Sequence, residues 1–221
     1  MKPVFAKLAL AAAVLCATGA AHAGVVVSSY ATTPLVTTAN FGRANATNTP
    51  VWNIQDSDKN LIAFCIEPAV AMIVSKTDYV AEAFTGFANN TQVQRLYSLY
   101  YPAATVADAA GMKTALSFQL ALWEIYKDDG SFASGNFKVN AIMNPNLDVK
   151  AIIAGAASMM TAAKNESVAI DKQFVFTRYA SVGSQSVVTA TAASVPEPGS
   201  FAALGLGAVM MGLVRRRARG A

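Results

Sequence analysis

The distribution of apolar residues predicts an α+β domain, a small β-sheet or sandwich packed against several helices. Three observations carry that expectation. Short runs such as Leu61–Glu67, Asp171–Tyr179 and Gln185–Thr191 have the length and residue types of strands. Two longer stretches, 105–127 and 147–164, place apolar residues at helical spacing. No internal repeat is visible, and 221 residues suit one domain.

Taken in order, Gly24–Tyr30 predicts a short exposed strand, and the Thr-, Ala- and Asn-rich residues 31–50 predict a loop or mobile arm. Val51–Ile54 is a further strand, separated by a polar turn, 55–60, from the Leu61 strand. Tyr79–Phe84 alternates weakly and adds another. Val93, Leu96, Tyr97 and Tyr100 predict a helix over 91–101, ended by Pro102. Thr105 followed by Asp108 resembles a capping box opening the longest helix, which stops at Asp128-Asp129-Gly130. An Ala- and Met-rich helix from Leu147 to Lys164 precedes the closing strands.

Both ends read as targeting signals. Residues 1–23 combine Lys2 and Lys7, an apolar run from Leu8 to Cys16 and the small-residue ending Ala21-His22-Ala23, the pattern of a cleaved secretory signal peptide. Residues 193–221 form a tail in which Phe201–Val214 carries no charge and is followed by Arg215, Arg216, Arg217 and Arg219. That apolar segment is shorter than the roughly 20 residues of a stable span. The arginines would hold its end on the cytoplasmic side, as a temporary membrane stop. The body, 24–192, lies between. Six of the 17 basic residues fall in the two ends, so the chain between them, up to Pro198, holds 11 against 13 acidic residues. The basic balance of the whole chain belongs to its targeting signals, and no nucleic-acid partner is expected.

Leader cleavage also removes Cys16 and His22, leaving Cys65 as the one cysteine and no histidine. A single cysteine in an exported protein asks for a partner. The helix from Thr105 supplies a candidate. Its core-facing stripe, Met112, Ala115, Leu116, Gln119, Leu122, Trp123 and Tyr126, is apolar except for Gln119. An amide without a partner there costs about 1–3 kcal/mol. Either it pairs a backbone group at a helix–sheet contact, or it meets the Cys65 thiol where helix packs on strand.

The neighbourhoods Phe64-Cys65-Ile66-Glu67 and Phe118-Gln119-Leu120-Ala121-Leu122-Trp123 resemble the bacterial surface thioester domain family. The match holds at Phe64, Cys65, Gln119, Ala121 and Trp123. Phe118 departs from the Thr that often precedes the family's glutamine. The resemblance covers residues 60–127. It implies a thioester formed by attack of the Cys65 sulfur on the Gln119 side-chain carbonyl, open to an amine- or hydroxyl-bearing surface target. Glu67 is expected to face solvent. Val195-Pro196-Glu197-Pro198-Gly199-Ser200, the apolar segment and the arginine cluster resemble the PEP-CTERM sorting signal. That implies processing by an exosortase near Pro196, Glu197 and Pro198, after transient anchoring in the inner membrane. Release or attachment at the cell surface or matrix follows, commonly alongside exopolysaccharide.

Other chemistries fit poorly. Asp56, Asp58, Asn60 and Glu67 take positions of a calcium loop, but Leu61 stands where that loop needs glycine. A cysteine hydrolase needs a base, normally histidine. No cofactor and no metal are expected. The chain is therefore read as a non-enzymatic surface or matrix protein with single-turnover self-acylation at most. Its rival is a structural matrix protein in which the crosslink is absent or only stabilising.

Overall fold

A computed structural model of the chain describes residues 25–39, 46–73, 78–87, 90–140, 144 and 146–193. The expected signal peptide and sorting tail, including Pro196, Glu197, Pro198, Arg215, Arg216, Arg217 and Arg219, lie outside those residues. The elements run β1 (Val26–Ala39), β2 (Ala46–Asp56), β3 (Lys59–Cys65), β4 (Val80–Phe84), α1 (Asn90–Ala104), α2 (Ala109–Lys127), β5 (Lys138–Val139), α3 (Leu147–Lys164), β6 (Phe174–Ala180) and β7 (Val187–Ala192). Seven strands form one sheet in the order β4-β6-β7-β3-β2-β1-β5, with every neighbouring pair antiparallel. The expected α+β architecture is present.

The segment 31–50, expected as a loop or arm, is instead mostly the long β1–β2 hairpin. Val36 pairs with Ala46 and the ladder continues to Val26 opposite Gln55. Pairing along this length gives the Thr-rich backbone partners that an arm would find only in water. The turn between β2 and β3 narrows to Ser57 and Asp58, with Ser57 at φ 54°, the left-handed geometry that two-residue hairpin turns favour.

Two helix boundaries also move. α1 runs through Pro102 to Ala104, so the proline lies inside the last turn instead of ending the helix before it. Thr105 bonds backward, donating from Oγ1 to the Pro102 carbonyl at 3.1 Å, so it closes α1. The N-cap of α2 is Asp108 itself, whose carboxylate accepts the Gly111 N–H at 2.6 Å.

α2 packs against α1, α3 and strands β1 to β3. Its middle is buried on every side, so Ser117 and Glu124 lie inside together with Leu116, Gln119 and Trp123. Ser117 donates to the Ile152 carbonyl of α3 at 3.0 Å. Gly155 permits that approach, since a Cβ there would stand 2.7 Å from the Ser117 hydroxyl. An aromatic group of Phe64, Tyr97, Tyr101, Phe118, Phe174 and Phe176 fills the layer between helices and sheet, with Phe64 and Phe118 centroids 4.5 Å apart.

Candidate functional site

Cys65 is the last residue of β3, fully buried between β2 and β7. Antiparallel ladders alternate their bonds from side to side. The Ile66 N–H goes to the Ser186 carbonyl on the β7 side, so the Cys65 N–H and carbonyl turn toward β2. There the register Val51↔Phe64 continues to Pro50, which has no N–H to offer. α2 supplies the missing partners. Gln119 Oε1 accepts the Cys65 N–H at 2.6 Å, and Gln119 Nε2 donates to the Cys65 carbonyl at 3.0 Å. Trp123 Nε1 donates to the same carbonyl, also at 3.0 Å. Phe64, the other aromatic of the motif, is buried beside them.

α1 repeats the device. Gln94 accepts the Phe174 N–H and donates to the Phe174 carbonyl, both at 2.8 Å. Phe174 lies beyond Phe176, where the β4 pairing ends. Each helix glutamine thus substitutes for a strand at the point where pairing with a neighbour ends. Of the expected thioester pair, the fold brings Gln119 to Cys65 on its backbone, with both ends of the amide engaged there.

The sulfur has other company. Cys65 Sγ donates to Gln185 Oε1 at 2.8 Å, and Trp52 Nε1 donates to Sγ at 2.9 Å. Gln185 Nε2 in turn donates to the Glu67 carbonyl at 2.8 Å. A carbonyl bond of about 1.2 Å puts the Gln185 amide carbon within about 4 Å of the sulfur. Glu67, expected in solvent, is half-buried, and its carboxylate accepts the Ser186 N–H at 2.9 Å. The stretch 184–186 is tied down further. Gln185 N–H reaches the Ala71 carbonyl at 3.0 Å, while Ser184 Oγ accepts the Ile73 N–H at 2.8 Å and shares a 2.5 Å bond with the Tyr79 hydroxyl.

Sequence reasoning missed Gln185 and Trp52. Gln185 opens an apolar strand, where a polar residue is ordinary, and it lies 120 positions from Cys65. The signal for Trp52 was composition: the chain has two tryptophans, and both indole N–H groups converge on Cys65.

This arrangement can do acyl chemistry. A thiol becomes a nucleophile as its thiolate, and the Trp52 indole N–H is aimed at this sulfur. The Gln185 amide is held by its nitrogen on the Glu67 carbonyl, so thiol and amide face each other in fixed positions.

Residues 194–218 match the PEP-CTERM protein-sorting motif. The chain carries an exosortase sorting signal. The matched span includes Pro196, Glu197, Pro198, Arg215, Arg216 and Arg217 and ends one residue before Arg219. The protein is therefore exported, processed by an exosortase membrane enzyme and sorted by way of the membrane to the cell surface. Among the described residues no helix is long and apolar enough to cross a membrane. No curated protein matches the chain in sequence. Among solved structures it is similar to the N-terminal domain of the Streptococcus pyogenes pilus tip adhesin Cpa, with 13% identity and a TM-score of 0.47. The similarity covers 77% of this chain and 93% of that one.

Proposed function

We propose that this exosortase-sorted protein attaches covalently to a nucleophile-bearing partner at the cell surface or in its matrix, through an internal thioester between Cys65 and Gln185. The observation that supports this reading best is the division of labour around Cys65, with Gln119 on its backbone and Gln185 on its sulfur. In the first step the Cys65 Sγ–Gln185 Cδ bond forms, the Cδ–Nε2 bond breaks, and the nitrogen leaves as ammonia with the thiol proton. In the second, an amine such as a lysine on the target attacks Cδ. A C–N bond forms, the C–S bond breaks, and the proton released by the amine returns to sulfur. The acyl group stays on the target, so the reaction runs once per molecule and the protein is no enzyme.

Burial gives the bond its lifetime. Cys65 is 0% and Gln185 3% exposed, which keeps water from the acyl carbon. The same burial favours a second reading, a shielded crosslink in a structural matrix protein, worth a few kcal/mol by analogy with disulfides. Intact-mass analysis of the exported body tests the bond: the expected mass is lower by one ammonia, about 17 Da, with no titratable thiol. A full mass and a titratable thiol would sink the proposal. Methylamine then separates the readings, since an adduct at Gln185 under native conditions supports attachment and none supports the crosslink.

A further inference from the structure

At the far end of α2 the chain gathers three carboxylates that the chemistry at Cys65 does not use. Glu124 lies in the last turn, Asp128 caps the helix, and Asp129 follows. One oxygen from each lies within 4.8 Å of the others. Oxygens sharing a calcium ion at about 2.3–2.6 Å stand no more than about 5 Å apart, so the spacing fits.

Glu124 is fully buried, and its two oxygens are treated differently. Oε2 accepts the Ser131 N–H at 2.9 Å, while buried Oε1 has no hydrogen-bond partner among the described residues. A buried carboxylate oxygen left so is costly unless a cation meets it. The surroundings offer little. Asp128 uses Oδ1 on the Asn136 N–H and Oδ2 on the Phe137 N–H, and Asp129 Oδ1 takes the Ser131 N–H. Lys127 Nζ sits over the Tyr126 ring, and Lys164 Nζ donates to the Gly130 carbonyl. The Lys164 ammonium alone stands against the three carboxyl groups among these contacts, at the end of a helix that already carries the negative pole of its dipole.

The loop is shaped around these groups. Gly130 and Gly135 both have φ of 76°, and a Cβ on Gly135 would fall 2.3 Å from an Asp128 oxygen. Only glycine lets the chain pass so close to the carboxylate.

We infer that Glu124, Asp128 and Asp129 form a site for a hard divalent cation, calcium, which ties the 128–137 loop to α2. All donors are oxygens, the set that calcium takes. Affinities of about 10⁻⁴–10⁻³ M are ordinary for extracellular calcium modules. The site is independent of the thioester.

The test is calorimetric titration of the purified exported protein with calcium chloride, together with thermal unfolding in calcium, in chelator and in sodium chloride of equal ionic strength. Calcium at about 10 mM is expected to bind one site and raise Tm by about 5 °C over chelator. Glu124→Gln and Asp129→Asn should abolish both effects, and Cys65→Ala should keep them. Asp129 is exposed, so Asp129→Asn decides the matter even where Glu124→Gln fails to fold. Equal midpoints in calcium and chelator without binding heat, or an undiminished calcium response in Asp129→Asn, would overturn the inference.

Discussion

The sharpest consequence of the fold is that two glutamines touching the same cysteine should fail in different ways. Gln119→Ala removes both amide bonds to the Cys65 backbone. The carbonyl keeps Trp123 Nε1, but the N–H loses its partner inside a closed core. An orphaned buried N–H costs about 1–3 kcal/mol, and the space left by the amide adds to it, so a loss of about 2–4 kcal/mol is expected. The sulfur still faces Gln185, and the folded fraction should keep its mass deficit of about 17 Da. Gln185→Ala leaves the strand backbone paired but removes the acyl carbon, so the protein should fold with full mass and a thiol that titrates on denaturation. The assay is intact mass on material shown to be folded by denaturant titration. If folded Gln119→Ala loses the deficit while Gln185→Ala retains it, the assignment of roles is wrong.

Three further outcomes follow from the same contacts. Trp52→Phe removes the indole N–H from the sulfur, and a bond to a charged group is worth about 1.5–3 kcal/mol, so thioester formation should slow by about 10- to 100-fold in timed mass spectra. An unchanged rate would remove Trp52 from the chemistry. Gln94→Ala should lower stability about as much as Gln119→Ala, by about 2–4 kcal/mol in denaturant titration, without touching the mass deficit. Replacing Pro196, Glu197 and Pro198 with alanine should block exosortase processing, and the unprocessed chain should accumulate in the membrane fraction on immunoblots.

Much of this fold was legible because the periodicities were local. α3 begins and ends where its apolar spacing and flanking residues put it, and β3, β4, β6 and β7 fall within a few residues of their expected runs. The β1–β2 hairpin was legible only where Gly24–Tyr30 and Val51–Ile54 predicted strands; its Thr-rich remainder shows no alternation, and those strands take their order from each other. The site was half legible. A glutamine on an apolar stripe announces a buried amide that must find a partner, but not which atoms of Cys65 it finds. That choice depends on Pro50 sitting in register beside Cys65, a contact set by strand pairing. Gln185 carried no signal of its own, because a polar residue at the start of a strand breaks no pattern.

The segment that presents Gln185 also decides how available its acyl group would be. Ser184 anchors it through Ile73 and Tyr79, and Glu67 through the Ser186 N–H, so a nucleophile reaches the acyl carbon when these bonds open. Ser184→Ala removes the bonds made by one hydroxyl and leaves Cys65, Gln185 and Trp52 untouched. Each such bond contributes about 0.5–1.5 kcal/mol, so the open state should gain about 10-fold in population. Methylamine adduction and hydrolysis, followed by mass over time, should accelerate by that factor together. Acceleration of both means that one opening admits amine and water alike. The natural partner must then outrun water by binding beside the segment before it opens. Unchanged rates would mean that the nucleophile enters elsewhere, and the anchoring of 184–186 would then be no gate.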